Sequence, residues 1–272
     1  MSQPGLLTRT EGAVRILVNS NPAARNAITL ALYDALPAAL EEAAQDPAIG
    51  AIVLTGDGDF FCAGGDLRQL ATRSALAPDE RRLKVERLHD QVRAIRACPK
   101  PVIAAVEGGA AGAGLSLALA CDMLVSSRDA FFSMAYVKVG LNPDGGATAF
   151  LSRFLSRQLL TEFCLLGERL PAERLHALGA VNRLSEPGQA LRQALVLAAR
   201  VANGPANANA RIKQLCENAG AATLSEQLDL EAALMVQAQG DDEAQEGIKA
   251  FFDKRAPDFV ALRHANGKHR QE

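Results

Sequence analysis

This sequence predicts an α/β fold with a largely parallel sheet, for two reasons. Strand-like and helix-like segments alternate along most of the chain, and two strand-like runs lead directly into glycine-rich turns that precede helical patterns. Such alternation is typical of parallel sheets, in which a helix connects each strand to the next. From about residue 201 the pattern is mostly helical. We therefore predict a core over residues 1–200 and a helical region over residues 201–272.

The predicted strands are short apolar runs bounded by polar or turn-forming residues. They lie at residues 13–19, 49–55, 101–106, 121–126, 130–134 and 179–184. The predicted helices have apolar residues at helical spacing, although the first of them contains Pro37. They lie at residues 29–45, 78–96 and 115–120, and over most of the chain beyond residue 147.

Composition and charge narrow the class of protein. The formal net charge of −2 disfavours a nucleic-acid-binding protein with a broad basic face. No apolar stretch approaches the roughly 18 residues of a membrane span, and the N-terminal sequence lacks the regions of a signal peptide. We therefore expect a cytoplasmic protein that binds neither nucleic acid nor membrane. The five cysteines have neither disulfide-framework nor metal-ligand spacing, so we expect no metal site.

Two glycine-rich turns provide the first functional prediction. They read FCAGGDL at residues 61–67 and GGAAGAG at residues 108–114, and each lies between a strand-like and a helix-like run. The first amides of a helix have no intrahelical acceptor, and the helix dipole places partial positive charge there. Together the turns predict a site whose backbone N–H groups stabilise an oxyanion such as an enolate.

These turns belong to a longer series of matching segments. The segments lie at residues 19–27, 52–56, 60–67, 100–106, 112–122, 139–146 and 246–257. In this order and spacing the sequence resembles the crotonase superfamily, also called the enoyl-CoA hydratase/isomerase family, over nearly its whole length. The resemblance implies a spiral of ββα units and a C-terminal helical region that forms a homotrimer or a dimer of trimers. It also implies an acyl-CoA substrate, with coenzyme A as part of the substrate and no separate cofactor.

The resemblance also assigns residues to the site. The oxyanion-hole amides would be those of Ala63 and Ala113, although much of the family has glycine at the second position. The remaining residues would bind the substrate and its coenzyme A. They are Arg25, Ala27, Cys62, Gly64, Gly65, Asp66, Leu67, Gly112, Ser116 and Tyr136. Phe251, Lys254 and Arg255 would reach the coenzyme A from the C-terminal region, either within one chain or from a neighbouring subunit.

The acid and base residues depart from the hydratase pattern. Hydratases of this family use two glutamates, and the matching positions here are Ser116 and Tyr136. A hydroxyl near its ordinary pKa is a poor base at neutral pH, so two-glutamate hydration is disfavoured. Asp144 matches the position of a functional aspartate in other branches, including isomerases. It would act in proton transfer or as a nucleophile, and the alternative is that Pro-Asp-Gly-Gly only forms a turn.

Three readings of the chemistry remain open within this scaffold. The favoured reaction is double-bond or ring isomerisation in fatty-acid or aromatic-acid catabolism. The second alternative is hydration or hydrolysis without glutamate, and the third is a non-catalytic scaffold that binds coenzyme A. Residues 116–122, 134–146 and 174–184 most resemble bacterial enzymes of aromatic catabolism, including the phenylacetate-pathway isomerase and alternative-type oxepin-CoA hydrolases. A nicotinamide enzyme is disfavoured, because the glycine turn at residues 108–114 lies far from the N-terminus and lacks a suitably spaced acidic residue.

Overall fold

A computed structural model describes residues 5–268 of the chain, and their fold is α/β as predicted. The strands are β1 (Gly5–Glu11), β2 (Val14–Ser20), β3 (Ala51–Gly56), β4 (Val102–Val106), β5 (Gly109–Ala111), β6 (Met123–Ser127), β7 (Phe131–Ser133), β8 (Arg169–Pro171) and β9 (Arg183–Ser185). The main sheet has the order β1-β2-β3-β4-β6-β9 and is parallel except for the β1–β2 pair. A second, small sheet has the order β5-β7-β8.

The helices cover both faces of the main sheet and continue beyond it. They are α1 (Leu30–Gln45), α2 (Leu67–Ala71), α3 (Pro78–Ala97), α4 (Ala113–Ala120), α5 (Ala147–Leu151), α6 (Arg157–Leu166), α7 (Ala172–Ala177), α8 (Ala190–Ala202), α9 (Ala206–Asn218), α10 (Leu224–Gln239), α11 (Asp242–Phe252) and α12 (Phe259–Lys268). Helix α8 packs against β2, β3, β4 and β6 through buried residues such as Leu197, while α1, α3 and α4 share the core on the other face. No helix within residues 5–268 is both long and apolar enough to cross a membrane.

Helix α4 is the structural centre of the site described below. All eight of its residues are buried, so the helix has no solvent-facing side. It begins at Ala113, two residues earlier than the sequence predicts, because Gly112 adopts a φ of +52° and turns the chain into the helix. An amide at this helix start therefore lies inside the protein.

Most predicted elements are confirmed with shifts of one or two residues at their ends, whereas the strand predicted at residues 179–184 is observed only at Arg183–Ser185. The first predicted helix begins after Thr29, whose side chain accepts a hydrogen bond from the amide of Leu32, and it tolerates Pro37. Three strands were not predicted: β1, which is mostly exposed, and β5 and β8, which have three residues each. The predicted helical region contains α9–α12, its last four residues lie outside the described part of the chain, and its status as a separate domain stays a prediction.

Candidate active site

The two glycine turns come together in the fold. Cys62 pairs with Ala110 as an isolated bridge, and the amide of Ala111 donates to the carbonyl of Cys62 at 2.9 Å. Gly64 permits this approach, because a Cβ there would lie 2.7 Å from the Ala111 carbonyl oxygen and 3.3 Å from the Ala113 nitrogen. Its φ of +97° also favours glycine. The turns are therefore in direct backbone contact.

The structure corrects the predicted role of one amide in the first turn. The N–H of Ala63 donates to the carbonyl of Arg25 at 2.9 Å, so it is not free to bind a substrate oxygen. Within residues 5–268, the N–H groups of Gly65 and Ala113 donate to no protein acceptor. Gly65 follows Gly64, which lies against the Ala113 nitrogen. The two free amides thus come from adjoining turns, and the second is at the start of α4, where the helix dipole adds partial positive charge.

A cluster of three polar side chains lies beside these turns. The Tyr136 hydroxyl donates to Oδ1 of Asp144 at 2.7 Å, and the Ser116 hydroxyl donates to the backbone carbonyl of Asp144 at 2.9 Å. The oxygens of Ser116 and Tyr136 are 3.5 Å apart. Burial raises the pKa of Tyr136 far above its ordinary value, and the charge of Asp144 raises it further. Tyr136 therefore stays protonated and remains a donor at physiological pH.

Three elements hold this cluster in place. Ser116 is fully buried on α4, Tyr136 lies in the 3-10 helix Ala135–Val139, and Asp144 lies in the loop before α5. The loop approaches α4 closely at Gly145, where a Cβ would lie 2.8 Å from Cβ of Ser116. The ring of Tyr136 also lies against Gly112, 3.8 Å from where its Cβ would be. These contacts hold Ser116, Tyr136 and Asp144 together, and their roles in binding and catalysis stay predictions.

Tyr33 and Arg73 are neighbours of the site that sequence reasoning missed. Burial raises the pKa of Tyr33, and interaction with Arg73 opposes this increase. The charges of Asp144 and Cys62 raise the pKa of Tyr33 further, and Tyr33 belongs to the same buried core cluster as Cys62. Tyr33 lies in α1 and Arg73 in the 3-10 helix Thr72–Ala75, so no local sequence pattern connects them to Asp144.

The remaining residues of the first turn have structural contacts of their own. Cys62 is buried, and burial raises the pKa of its thiol to about 12, so it is not a thiolate at neutral pH. Asp66 caps α2 by accepting from the Arg68 amide at 2.9 Å. Leu67 and Arg25 are exposed, whereas Ala27 is buried. Arg25 and Leu67 are therefore the two exposed residues of this group.

The three C-terminal residues of the predicted set lie in and after α11. Phe251 is 78% exposed, and Arg255 forms two hydrogen bonds with Glu246, at 2.6 and 2.8 Å. The Arg255 guanidinium lowers the pKa of Glu246 to about 2. Lys254 has a φ of +54° and turns the chain after α11. Helix α11 packs on α10 and α12, so the contacts within one chain do not bring these residues to the glycine turns in the described part of the protein.

A cavity of about 480 Å³ lies elsewhere, near the C-terminal end of α4. Its lining includes Leu119, Asp122, Phe150 and Lys213, but neither Gly65 nor Ala113. Lys213 and Asp122 form an ion pair of 2.9 Å there, and Asp122 also accepts from the Val102 amide. These polar groups satisfy one another, so the chemistry is better assigned to the two turns and Asp144 than to this cavity.

A family profile and known proteins match most of the chain. The profile of the family described as Enoyl-CoA hydratase/isomerase matches residues 9–261. The chain is 35% identical over 256 residues to the 1,2-epoxyphenylacetyl-CoA isomerase of Escherichia coli K12, covering 94% of this chain and 98% of that protein. It is also 35% identical to the 2,3-dehydroadipyl-CoA hydratase of the same organism, covering 93% and 98%.

Solved structures lead to the same family. A crystal structure described as an enoyl-CoA hydratase from Polaromonas sp. JS666 is 45% identical, with a TM-score of 0.91 over 93% of this chain and 98% of that one. The predicted crotonase-type α/β fold is thereby confirmed. From the profile match, the relatives and the shared fold together, we conclude that this chain belongs to the enoyl-CoA hydratase/isomerase family of the crotonase superfamily.

Proposed function

We propose that this protein isomerises an acyl-CoA thioester through an enolate that is held by the amides of Gly65 and Ala113, with Asp144 as the proton-transfer residue. The observation that carries the proposal is the pair of free amides in contacting turns beside a single oriented carboxylate. Two donors aimed at a developing oxyanion are the arrangement that stabilises an enolate. Gly65 takes the role that the sequence assigned to Ala63.

The mechanism follows from the positions of these groups. The thioester carbonyl accepts from the two amides, and a carboxylate oxygen of Asp144 removes a proton from the α or γ carbon. The C–H electron pair moves into the conjugated system, and the carbonyl oxygen gains the negative charge. The carboxylic acid of Asp144 then returns a proton to a different carbon, which shifts the double bond. One carboxylate is sufficient for both transfers, because the group that removes the proton becomes the acid that delivers one. In D₂O this acid exchanges with the solvent and delivers deuterium.

The natural substrate class is proposed from the relatives. The Escherichia coli isomerase acts on 1,2-epoxyphenylacetyl-CoA, as its name states, which supports aromatic-acid catabolism, with fatty-acid catabolism as the other setting. The hydratase relative at equal identity supports a second candidate, hydration or hydrolysis of the thioester without two glutamates. A non-catalytic coenzyme A-binding scaffold is the third candidate, and the exchange experiment below separates it from the others.

Assembly and substrate binding are proposed together. The C-terminal helices expose apolar side chains, among them Leu224, Val236 and Phe251, each at least 70% exposed. Exposed apolar surface of this kind supports association, and we propose a homotrimer or a dimer of trimers in the cytoplasm. In that assembly Phe251, Lys254 and Arg255 would contact the coenzyme A of a neighbouring subunit. Coenzyme A enters as part of the substrate, and no separate cofactor or metal is proposed.

Proton exchange in D₂O tests the proposal. We expect the wild-type protein to introduce deuterium at the α or γ carbon of 2-enoyl-, 3-enoyl- or arylacetyl-CoA, detected by NMR. Asp144→Asn should reduce exchange by about 100-fold or more, the scale of general acid–base catalysis. Asp90→Asn is the matched control, because Asp90 lies on the solvent side of α3 and its surface ion pair with Arg93 contributes little. Equal exchange in wild type and Asp144→Asn would contradict the proposal, and binding without exchange for any thioester would favour the scaffold.

A further inference from the structure

We propose that Tyr136 is a positioning residue that fixes the Asp144 carboxylate by donating to Oδ1, so that proton transfer takes place through Oδ2. This inference rests on the proposed function, in which Asp144 moves the proton. The Tyr136 hydroxyl lies 2.7 Å from Oδ1, a short and charge-assisted hydrogen bond. No other side-chain donor to the Asp144 carboxylate is present within residues 5–268, so the second oxygen is available to the substrate.

The backbone of Asp144 is fixed independently of its side chain. The Ser116 hydroxyl donates to the Asp144 carbonyl, and the following Gly145 lies against Cβ of Ser116. Ser116 and Tyr136 occupy the two positions where the resemblance places the hydratase glutamates. Both residues present hydroxyls to Asp144. The two positions that carry the acid and base in hydratases thus hold Asp144 in place in this protein.

Tyr136 is suited to this role by its protonation state. Its hydroxyl keeps the proton at all physiological pH values, because burial and the neighbouring carboxylate disfavour the phenolate. It can therefore donate continuously to Oδ1 while Oδ2 gains and loses the substrate proton. Without this donor the carboxylate can rotate about its Cβ–Cγ bond, and a misplacement of about 1 Å in a reacting group costs up to roughly 100-fold in rate.

Tyr136→Phe removes only the hydroxyl and tests the inference. In the D₂O exchange assay we expect kcat to fall about 10- to 100-fold, while KM for the thioester changes by less than about twofold. The kinetic isotope effect with α-deuterated substrate should rise, because proton transfer becomes more rate-limiting. A residue that only stabilises the fold would not produce that increase. Thermal unfolding of the variant shows whether the fold is kept.

A double-mutant cycle with Asp144→Asn separates this inference from the proposed function. If Tyr136 acts through Asp144, adding Tyr136→Phe to Asp144→Asn should produce no further loss of the residual rate. Wild-type kcat in Tyr136→Phe would overturn the inference, and so would a raised KM with unchanged kcat, which would assign the hydroxyl to substrate binding. Full exchange in Asp144→Asn would instead overturn the proposed function, whatever Tyr136→Phe does.

Discussion

Gly64→Ala tests whether the two free amides form the oxyanion site. A Cβ at this position would lie 2.7 Å from the Ala111 carbonyl oxygen and 3.3 Å from the Ala113 nitrogen, and both atoms are backbone. No side-chain rotation can relieve that clash, so the two turns must move apart. We expect kcat for exchange to fall about 100- to 1,000-fold, the cost of losing one oxyanion donor at about 2.7–4 kcal/mol. The positive φ of +97° should also reduce the free energy of unfolding by about 1–3 kcal/mol.

Gly58→Ala is the matched control for the strained backbone. Gly58 has a φ of +75°, but nothing lies within 4 Å of the position its Cβ would occupy. Its loss of stability in urea should reflect the strained φ alone and so be smaller than that of Gly64→Ala, while its exchange rate should stay at the wild-type level. Exchange is measured by NMR in D₂O at saturating thioester. A Gly64→Ala kcat within about threefold of wild type would refute the oxyanion assignment, as would equal kcat losses in the two variants.

Two further predictions concern the rest of the chain. Lys213→Met removes one partner of the buried ion pair with Asp122, so we expect the free energy of unfolding in urea to fall by about 3–5 kcal/mol. Adding Asp122→Asn should restore part of this loss. A decrease below about 1 kcal/mol would contradict the prediction. Because burial raises the pKa of Cys62 to about 12 while Cys216 is exposed, a thiol reagent at about pH 8 should modify Cys216 and spare Cys62 in the folded protein. Peptide mass spectrometry measures both sites, and rapid modification of Cys62 would show that its turn opens.

Strands, helices and turns were predictable where an apolar pattern or a glycine-rich turn marks them in the local sequence. The main-sheet strands β2, β3, β4 and β6 are apolar runs of five to seven residues, and the sequence places each within two residues of its observed start. Strand β5 was missed because it lies inside the second glycine turn, where glycine and alanine carry no strand signal. Strand β1 was missed because it is a mostly exposed edge strand with no alternating apolar face.

The two glycine turns could be recognised in the sequence, but the amide that is left free in the first turn could not. Both Ala63 and Gly65 lie in the first turn, and a motif alone does not say which N–H is free. The choice depends on the carbonyl of Arg25, which occupies the Ala63 amide and comes from a distant part of the chain. The hydrogen bond from Tyr136 to Asp144 likewise depends on how the loop before α5 folds back. Such contacts between separate segments have no local signature.

Helix α4 connects the two halves of the proposed chemistry. Ala113 at its start offers a free amide, and Ser116, three residues later, holds the backbone of Asp144. Three residues correspond to about 4.5 Å along a helix axis, so one buried turn fixes the separation between the oxyanion site and the loop that carries the base. Because α4 is buried on every side, it cannot shift without disturbing the core. In the proposed mechanism, one rigid helix therefore sets the separation between the enolate-stabilising amide of Ala113 and the proton-transfer residue Asp144.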